Sequence, residues 1–261
     1  MSSVTVESLD GATVRAWNAG EDDAPGLLYL HGFERHPGEA PFLHRLAQTR
    51  RVLAPEHPGY GESTGLEAMD HVLDLVLHYR RLVERTFTGP VDVIGHSLGG
   101  MFAAEFAAIC PHLTSSLTLV SPYGLWLDDD PLPDPFVLSE KELRTAIWSD
   151  PQAAPDPETS LPLPGAADPH AKVYDRARNM GAATKFMWPI PDHGLRRRLP
   201  LIGARTLVVR GTDDQLVPQS YAEEFVRLIP DARFAAVEAA GHLPMLERPT
   251  EFGDLLEAFL D

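Results

Sequence analysis

Three short segments of this 261-residue sequence hold side chains that together could carry out acyl chemistry. In Gly95-His96-Ser97-Leu98-Gly99 a serine stands between an apolar run and a helical pattern. A serine hydroxyl is a weak nucleophile until a base takes its proton, so the segment matters only if a histidine can reach it. Gly241-His242 supplies a candidate base, and Gly211-Thr212-Asp213-Asp214 supplies a carboxylate, at 213 or 214, that could orient its ring. The pattern G-x-S-x-G alone is weak, because with glycine near 7% of residues roughly one chain in ten of this length holds it by chance. Context has to supply the rest.

That context is where the segments fall. Ser97 follows the apolar run Val91–Gly95, the acids follow Thr206–Arg210, and His242 follows Ala232–Val237. At a sharp strand-to-helix turn, side chains flanking the serine would collide, which explains glycine at both ends. The serine is then pushed out at a helix N-terminus, where the dipole favours developing negative charge. His31-Gly32-Phe33 follows the run Gly26–Leu30, so the Phe33 amide can face the serine and pair with the Leu98 amide to hold an oxyanion. Along the chain the order is Ser, Asp, His.

The remaining elements must bring these pieces to one edge. Val4–Leu9, Thr13–Trp17, Gly26–Leu30 and Val52–Pro55 read as strands, and Leu66–Arg85 as a helix. Strand Val91–Gly95, helix Leu98–Cys110 and strand Leu117–Val120 follow. After a long interval come strand Thr206–Arg210, helix Gln219–Leu228, strand Ala232–Val237 and helix Thr250–Leu260. The alternation predicts an α/β fold, with a mostly parallel central sheet covered by helices on both faces.

Residues 121–170 break the rhythm. They contain 10 of the 24 prolines and ten acidic residues against only Lys141 and Arg144, so half of the formal charge of −16 lies here. Tyr123, Trp126, Phe136 and Trp148, followed by Tyr174, Phe186 and Trp188, make the stretch too aromatic for a disordered linker. We read 122–198 as a cap inserted after the sixth strand, over a core formed by 1–121 and 199–261. Within it, Asp150–Pro169 is irregular and longer than ordinary connections, as a lid or a locally disordered segment would be. Trp126, Trp148, Phe186 and Trp188 either line a pocket or pack the cap's own core. Near the His-Gly-Phe turn, Glu34 and His36 are the polar candidates for touching substrate.

Taken together, strand-His31-Gly32-Phe33, Pro58-Gly59-Tyr60-Gly61-Glu62-Ser63, Gly95-His96-Ser97-Leu98-Gly99-Gly100, Asp214-x-x-Val217-Pro218 and Gly241-His242-x-Pro244-x-x-Glu247-x-Pro249 resemble the α/β-hydrolase superfamily of esterases, lipases and relatives. The resemblance covers nearly all of the chain outside the cap. It implies Ser97 as nucleophile, His242 as base, Asp214 rather than Asp213 as the orienting acid, and the Phe33 and Leu98 amides as the oxyanion hole. Serine at 97 departs from the aspartate of the epoxide-hydrolase and haloalkane-dehalogenase branches. Leu243 departs from the tryptophan expected after the histidine in carbon–carbon hydrolases of ring-fission dienones. Carboxylic-ester hydrolysis therefore ranks first. Carbon–carbon, thioester or lactone hydrolysis comes second, and a hydrolase-fold receptor with little turnover third.

Composition narrows the partners. An excess of 38 acidic over 22 basic residues argues against nucleic acid or an anionic membrane, both of which need a basic face. MSSVTVESLD lacks the basic start and apolar core of a signal peptide, and no run reaches ~18 apolar residues, so a cytoplasmic location is expected; the separate expectation for assembly is a monomer or small homo-oligomer. Cys110, the single cysteine, reads as a core residue. The other ten histidines, His36, His44, His57 and His96 among them, show no metal-ligand spacing. The chemistry needs no metal or organic cofactor, and the aromatic insertion suggests a small-molecule ester with a medium-sized apolar part.

Overall fold

A computed structural model describes residues 2–154, 172–188 and 192–261. Eight strands form one sheet: β1 (Ser3–Leu9), β2 (Ala12–Ala19), β3 (Gly26–Leu30), β4 (Arg51–Pro55), β5 (Val91–His96), β6 (Thr114–Val120), β7 (Arg205–Gly211) and β8 (Ala232–Val237). Their spatial order is β1-β2-β4-β3-β5-β6-β7-β8. The hairpin β1–β2 and the pair β2–β4 are antiparallel, and every later pairing is parallel.

Parallel neighbours need a crossover, and the helices supply it. They are α1 (Pro41–Leu46), α2 (Val72–Thr86), α3 (Leu98–Ile109), α4 (Glu140–Ile147), α5 (Lys172–Met187), α6 (Leu195–Arg198), α7 (Gln219–Leu228), α8 (Pro244–Glu247) and α9 (Pro249–Leu260). Alternate residues of each strand face opposite ways. Leu28, Leu30, Val93, Leu117 and Leu119 therefore pack with Tyr79 of α2, Phe102 of α3 and Phe225 of α7. Leu27, Tyr29, Ile94, Val120 and Val209 pack on the other face with Phe42 of α1 and Phe252 and Phe259 of α9. All six residues of β5 are buried, as a strand covered on both sides requires.

One expectation needs correction. The helix foreseen from Leu66 begins only at Val72; residues Leu66–Ala68 form a separate 3₁₀ turn. The break is set by Asp74, whose carboxylate accepts the amides of Asp70 and His71 at 2.9 Å each and so caps the helix there. Helix α1 was not foreseen, and it buries Phe42, Leu43 and Leu46.

The long interval between β6 and β7 holds α4, α5 and α6. Ser139 and Glu142 cap α4 reciprocally. Leu143 and Ile147 of α4 and Phe186 of α5 join the same apolar cluster as the sheet, with Phe186 edge-on to Phe102 at 5.3 Å. Arg198 of α6 forms a two-pronged ion pair with buried Glu105 of α3. The irregular stretch 150–169 lies, from residue 155 onward, outside the described residues. Among those described, no helix is long and apolar enough to cross a membrane.

Candidate active site

The parallel strands end at one edge of the sheet, and the chemistry gathers there. Ser97 leaves β5 with φ 57° and ψ −119°, a left-handed conformation that a residue with a side chain adopts only under restraint. The restraint is visible: its amide donates to the Val120 carbonyl at 2.8 Å, and its carbonyl accepts from Gly100 at 2.9 Å and Tyr123 at 3.1 Å. A Cβ on Gly95 would overlap the Gly99 carbonyl, and one on Gly99 would overlap the carbonyls of Leu30 and His31, so the turn closes only with glycine on either side.

His242 follows β8 and reaches across the edge. Its Nε2 lies 2.9 Å from Ser97 Oγ, and its Nδ1 lies 2.9 Å from Asp214 Oδ2. The protonation pattern follows from the acid. Burial works to raise the Asp214 carboxyl, yet His242, by its charge whenever the ring is protonated and by its hydrogen bond, together with the Val217 amide holds it below its ordinary value. It is therefore a carboxylate that can only accept, so His242 Nδ1 carries the proton and Nε2 is left to accept from the serine. Asp214 Oδ1 takes the amides of Leu216 and Val217 at 2.9 and 3.0 Å, which fixes its rotamer. Ser97, Asp214 and His242 are all buried.

Asp213 points elsewhere. Its carboxylate accepts from Ser149 Oγ at 2.5 Å, in the segment that follows α4. The end of α4 itself holds the site: the Ile147 carbonyl accepts the His242 amide at 2.7 Å, and the Ala146 carbonyl accepts the Gln215 amide at 3.2 Å. Ile147 approaches so closely that a Cβ on Gly241 would overlap its carbonyl. Glu247 completes the junction, one oxygen accepting the Gly241 amide at 2.7 Å and the other the Ser149 amide at 2.9 Å. Glu247 and Ile147 had been assigned no role from sequence. The glutamate stood in a quoted motif, but only the fold reveals what it bonds.

Phe33 is buried after β3, its ring 6.4 Å from that of His242 and its carbonyl accepting the Tyr60 hydroxyl at 2.8 Å. Leu98 is the first residue of α3, so its amide lies among the unpaired donors of a helix start. Beneath the Phe33 turn, the His57 amide donates to His31 Nε2 at 3.0 Å and His57 Nε2 donates to the His31 carbonyl at 2.7 Å, with the two rings stacked at 3.6 Å. Burial pushes His57 down to about 3 and His31 well below its ordinary value, so both rings are neutral struts. His96 is another: burial pushes it down to about 3, and its Nε2 donates to the His242 carbonyl at 2.8 Å. His36 bonds the Ala54 carbonyl and the Gly38 amide through its two ring nitrogens, which leaves neither for a substrate.

The remaining candidates scatter. Glu34 is tied by its carbonyl to Asn179 of α5 at 3.0 Å. Trp126 is half-buried and donates its indole N–H to Asp128 at 3.0 Å. Trp148 directly follows Ile147 and packs partly against the main core. Trp188 is 57% exposed and lines a cavity of about 430 Å³ with Met101, Lys185, Phe186 and Leu195; neither Ser97 nor His242 lines it. Cys110 is buried, and burial raises its thiol, which makes it a poor nucleophile.

A profile of the Alpha/beta hydrolase family matches residues 27–255, a span that takes in Phe33, Ser97, Asp214 and His242. The chain belongs to the α/β hydrolase family. Among its relatives, the dihydrolipoyllysine-residue acetyltransferase component of an acetoin cleaving system from Cupriavidus necator is 28% identical, over 97% of this chain and 67% of that protein. The pimeloyl-[acyl-carrier protein] methyl ester esterase of Xanthomonas oryzae pv. oryzae is 26% identical, over 90% of this chain and 95% of that protein. Among α/β hydrolase structures, a bacterial membrane phospholipase A superposes with a TM-score of 0.79 at 24% identity, covering 100% of this chain and 86% of that one.

Proposed function

We propose that this chain hydrolyses carboxylic esters through an acyl-enzyme on Ser97. The observation that carries the reading is the unbroken line Ser97 Oγ, His242, Asp214, with 2.9 Å at each junction. His242 Nε2 takes the serine proton as Oγ attacks the ester carbonyl, and Asp214 steadies the imidazolium that forms. The amides of Phe33 and Leu98 receive the oxyanion. His242 then returns the proton to the leaving alcohol, and water repeats the sequence on the acyl-enzyme. An ester-hydrolysing relative that shares most of its length with this chain supports the choice of bond.

In this reading residues 122–198 act as a cap over the site, and its apolar side chains accommodate an apolar part of the substrate. Among the cap tryptophans, Trp148 is the one proposed for that task, because it follows the residue whose carbonyl holds His242. The test is a panel of nitrophenyl esters of increasing acyl length, run with wild type and Ser97→Ala. Wild type turns over at least one ester, and the folded variant loses turnover by ~10⁶. A folded variant that keeps near-normal turnover removes Ser97 from the chemistry, and a wild type that binds esters without turning any over supports a receptor instead.

A further inference from the structure

One buried side chain at the site has a polar atom with nothing to bond. Tyr123, just past the end of β6, is 2% exposed. Its amide donates to the Ser97 carbonyl at 3.1 Å. Its ring stands nearly edge-on to Phe33 at 6.1 Å and to His242 at 6.1 Å. The side chain thus sits beside both the turn assigned to the oxyanion and the assigned base, on the residue whose amide bonds the Ser97 carbonyl. Among the described residues its hydroxyl has no hydrogen-bond partner.

Buried hydroxyls are ordinarily paired, because burial strips them of water and an unpaired one gives nothing in return. Phenylalanine would fill the same volume without that cost, so the oxygen needs a reason. Burial, with the carboxylates of Asp214 and Asp134, pushes the phenol well above its ordinary range, so it remains protonated at neutral pH and can donate. A site that offers a buried donor discriminates against ligands lacking the matching acceptor far better than an apolar wall can.

We propose that the Tyr123 hydroxyl donates a hydrogen bond to a bound substrate, and that the substrate is an oxygenated ester, one with a hydroxyl or carbonyl oxygen within a few bonds of the scissile carbonyl, rather than a plain alkyl ester. The substrate class rests on the ester-hydrolase reading, and the contact itself does not. Tyr123 acts in substrate positioning and takes no proton in the reaction.

The experiment compares wild type with Tyr123→Phe on propyl butyrate, 2-hydroxyethyl butyrate and propyl 3-oxobutanoate. These place the second oxygen nowhere, on the alcohol side and on the acyl side. The quantity read is the ratio of kcat/KM for each oxygenated ester to that for propyl butyrate. Loss of one neutral hydrogen bond lowers at least one ratio by about 10-fold, equivalent to about 1.4 kcal/mol. The same comparison in a Ser97→Ala background, read as dissociation constants by calorimetry, gives the ratio without turnover. If wild type hydrolyses none of the esters, the hydrolase reading falls, while the binding ratios still judge Tyr123. Ratios that change less than threefold for both oxygenated esters overturn the proposal, including the case where Tyr123→Phe shifts the melting temperature and nothing else, as a hydroxyl serving only the fold would do.

Discussion

His242 is gripped through both ring nitrogens and both main-chain polar atoms: by Ser97, Asp214, the Ile147 carbonyl and His96. So complete a hold leaves one orientation and one tautomer, and the two adjacent aspartates test it. Asp214→Asn replaces an obligate acceptor with a group that can also donate, which lets the proton settle on Nε2 and removes the acceptor that the serine needs. Turnover on the best ester should fall by up to ~10⁴, by analogy with a triad acid elsewhere. Asp213→Asn only loosens a bond to Ser149, so its catalytic loss should be far smaller. Steady-state kinetics of the two folded variants decide, and a larger loss at 213 would reverse the assignment. This part of the site was legible in the sequence, because the turn residues around each polar side chain pin it to a strand end. Tyr123 was not legible beyond being aromatic, since an unpaired hydroxyl exists only once its neighbours are placed.

Between elements, the decisive junction joins the end of α4 to the loops bearing Asp214 and His242. Glu247, at the end of α8, accepts one amide from each side of it. Glu247→Gln keeps the shape but turns an amide N–H₂ toward one of those N–H groups. The expected result is a loss of about 2 kcal/mol, the range for a hydrogen bond to a charged group, with a fall in kcat. Urea unfolding with a parallel assay checks it, and an unchanged midpoint would mean the junction holds without the carboxylate. The central strands and the helices α3, α7 and α9 could be read from their apolar patterns because each buries at least one face. Helix α1, with six residues, is too short to show a period, and the start of α2 depends on the Asp74 side chain rather than on any apolar pattern. The interval from β6 to β7 stood out by its broken rhythm, but its grip on the histidine loop runs through carbonyls, which side-chain patterns do not report.

At the scale of the whole molecule, the buried histidines set the response to acid. Burial lowers His36 and His78 to about 4, His57 and His96 to about 3, and His31 well below the ordinary 6.5. Below pH 6.5 the unfolded chain takes up protons at these five rings that the native protein refuses, so acidification favours unfolding. Glu56 opposes them: burial pushes its carboxyl from 4.5 up to about 7, so the native state holds the extra proton in that window and this contribution is lost as pH rises. Burial raises the Glu247 carboxyl as well, so five rings stand against two carboxyls; the histidines prevail, and stability falls as the pH is lowered below the ordinary histidine range. Thermal melts from pH 5 to 7 should show a melting temperature that climbs steeply with pH, and a flat profile would mean those rings are not buried neutral.

Every step of the proposed chemistry depends on Ser97 being a nucleophile activated by His242. A fluorophosphonate, which phosphonylates serines activated in this way and mimics the tetrahedral intermediate, reads that property without any knowledge of the substrate. Peptide mass spectrometry of the labelled protein should find one phosphonyl group per chain, on Ser97, with labelling abolished in a folded His242→Ala variant. Unlabelled Ser97 in the native protein, or a label on another residue that persists in Ser97→Ala, would contradict it.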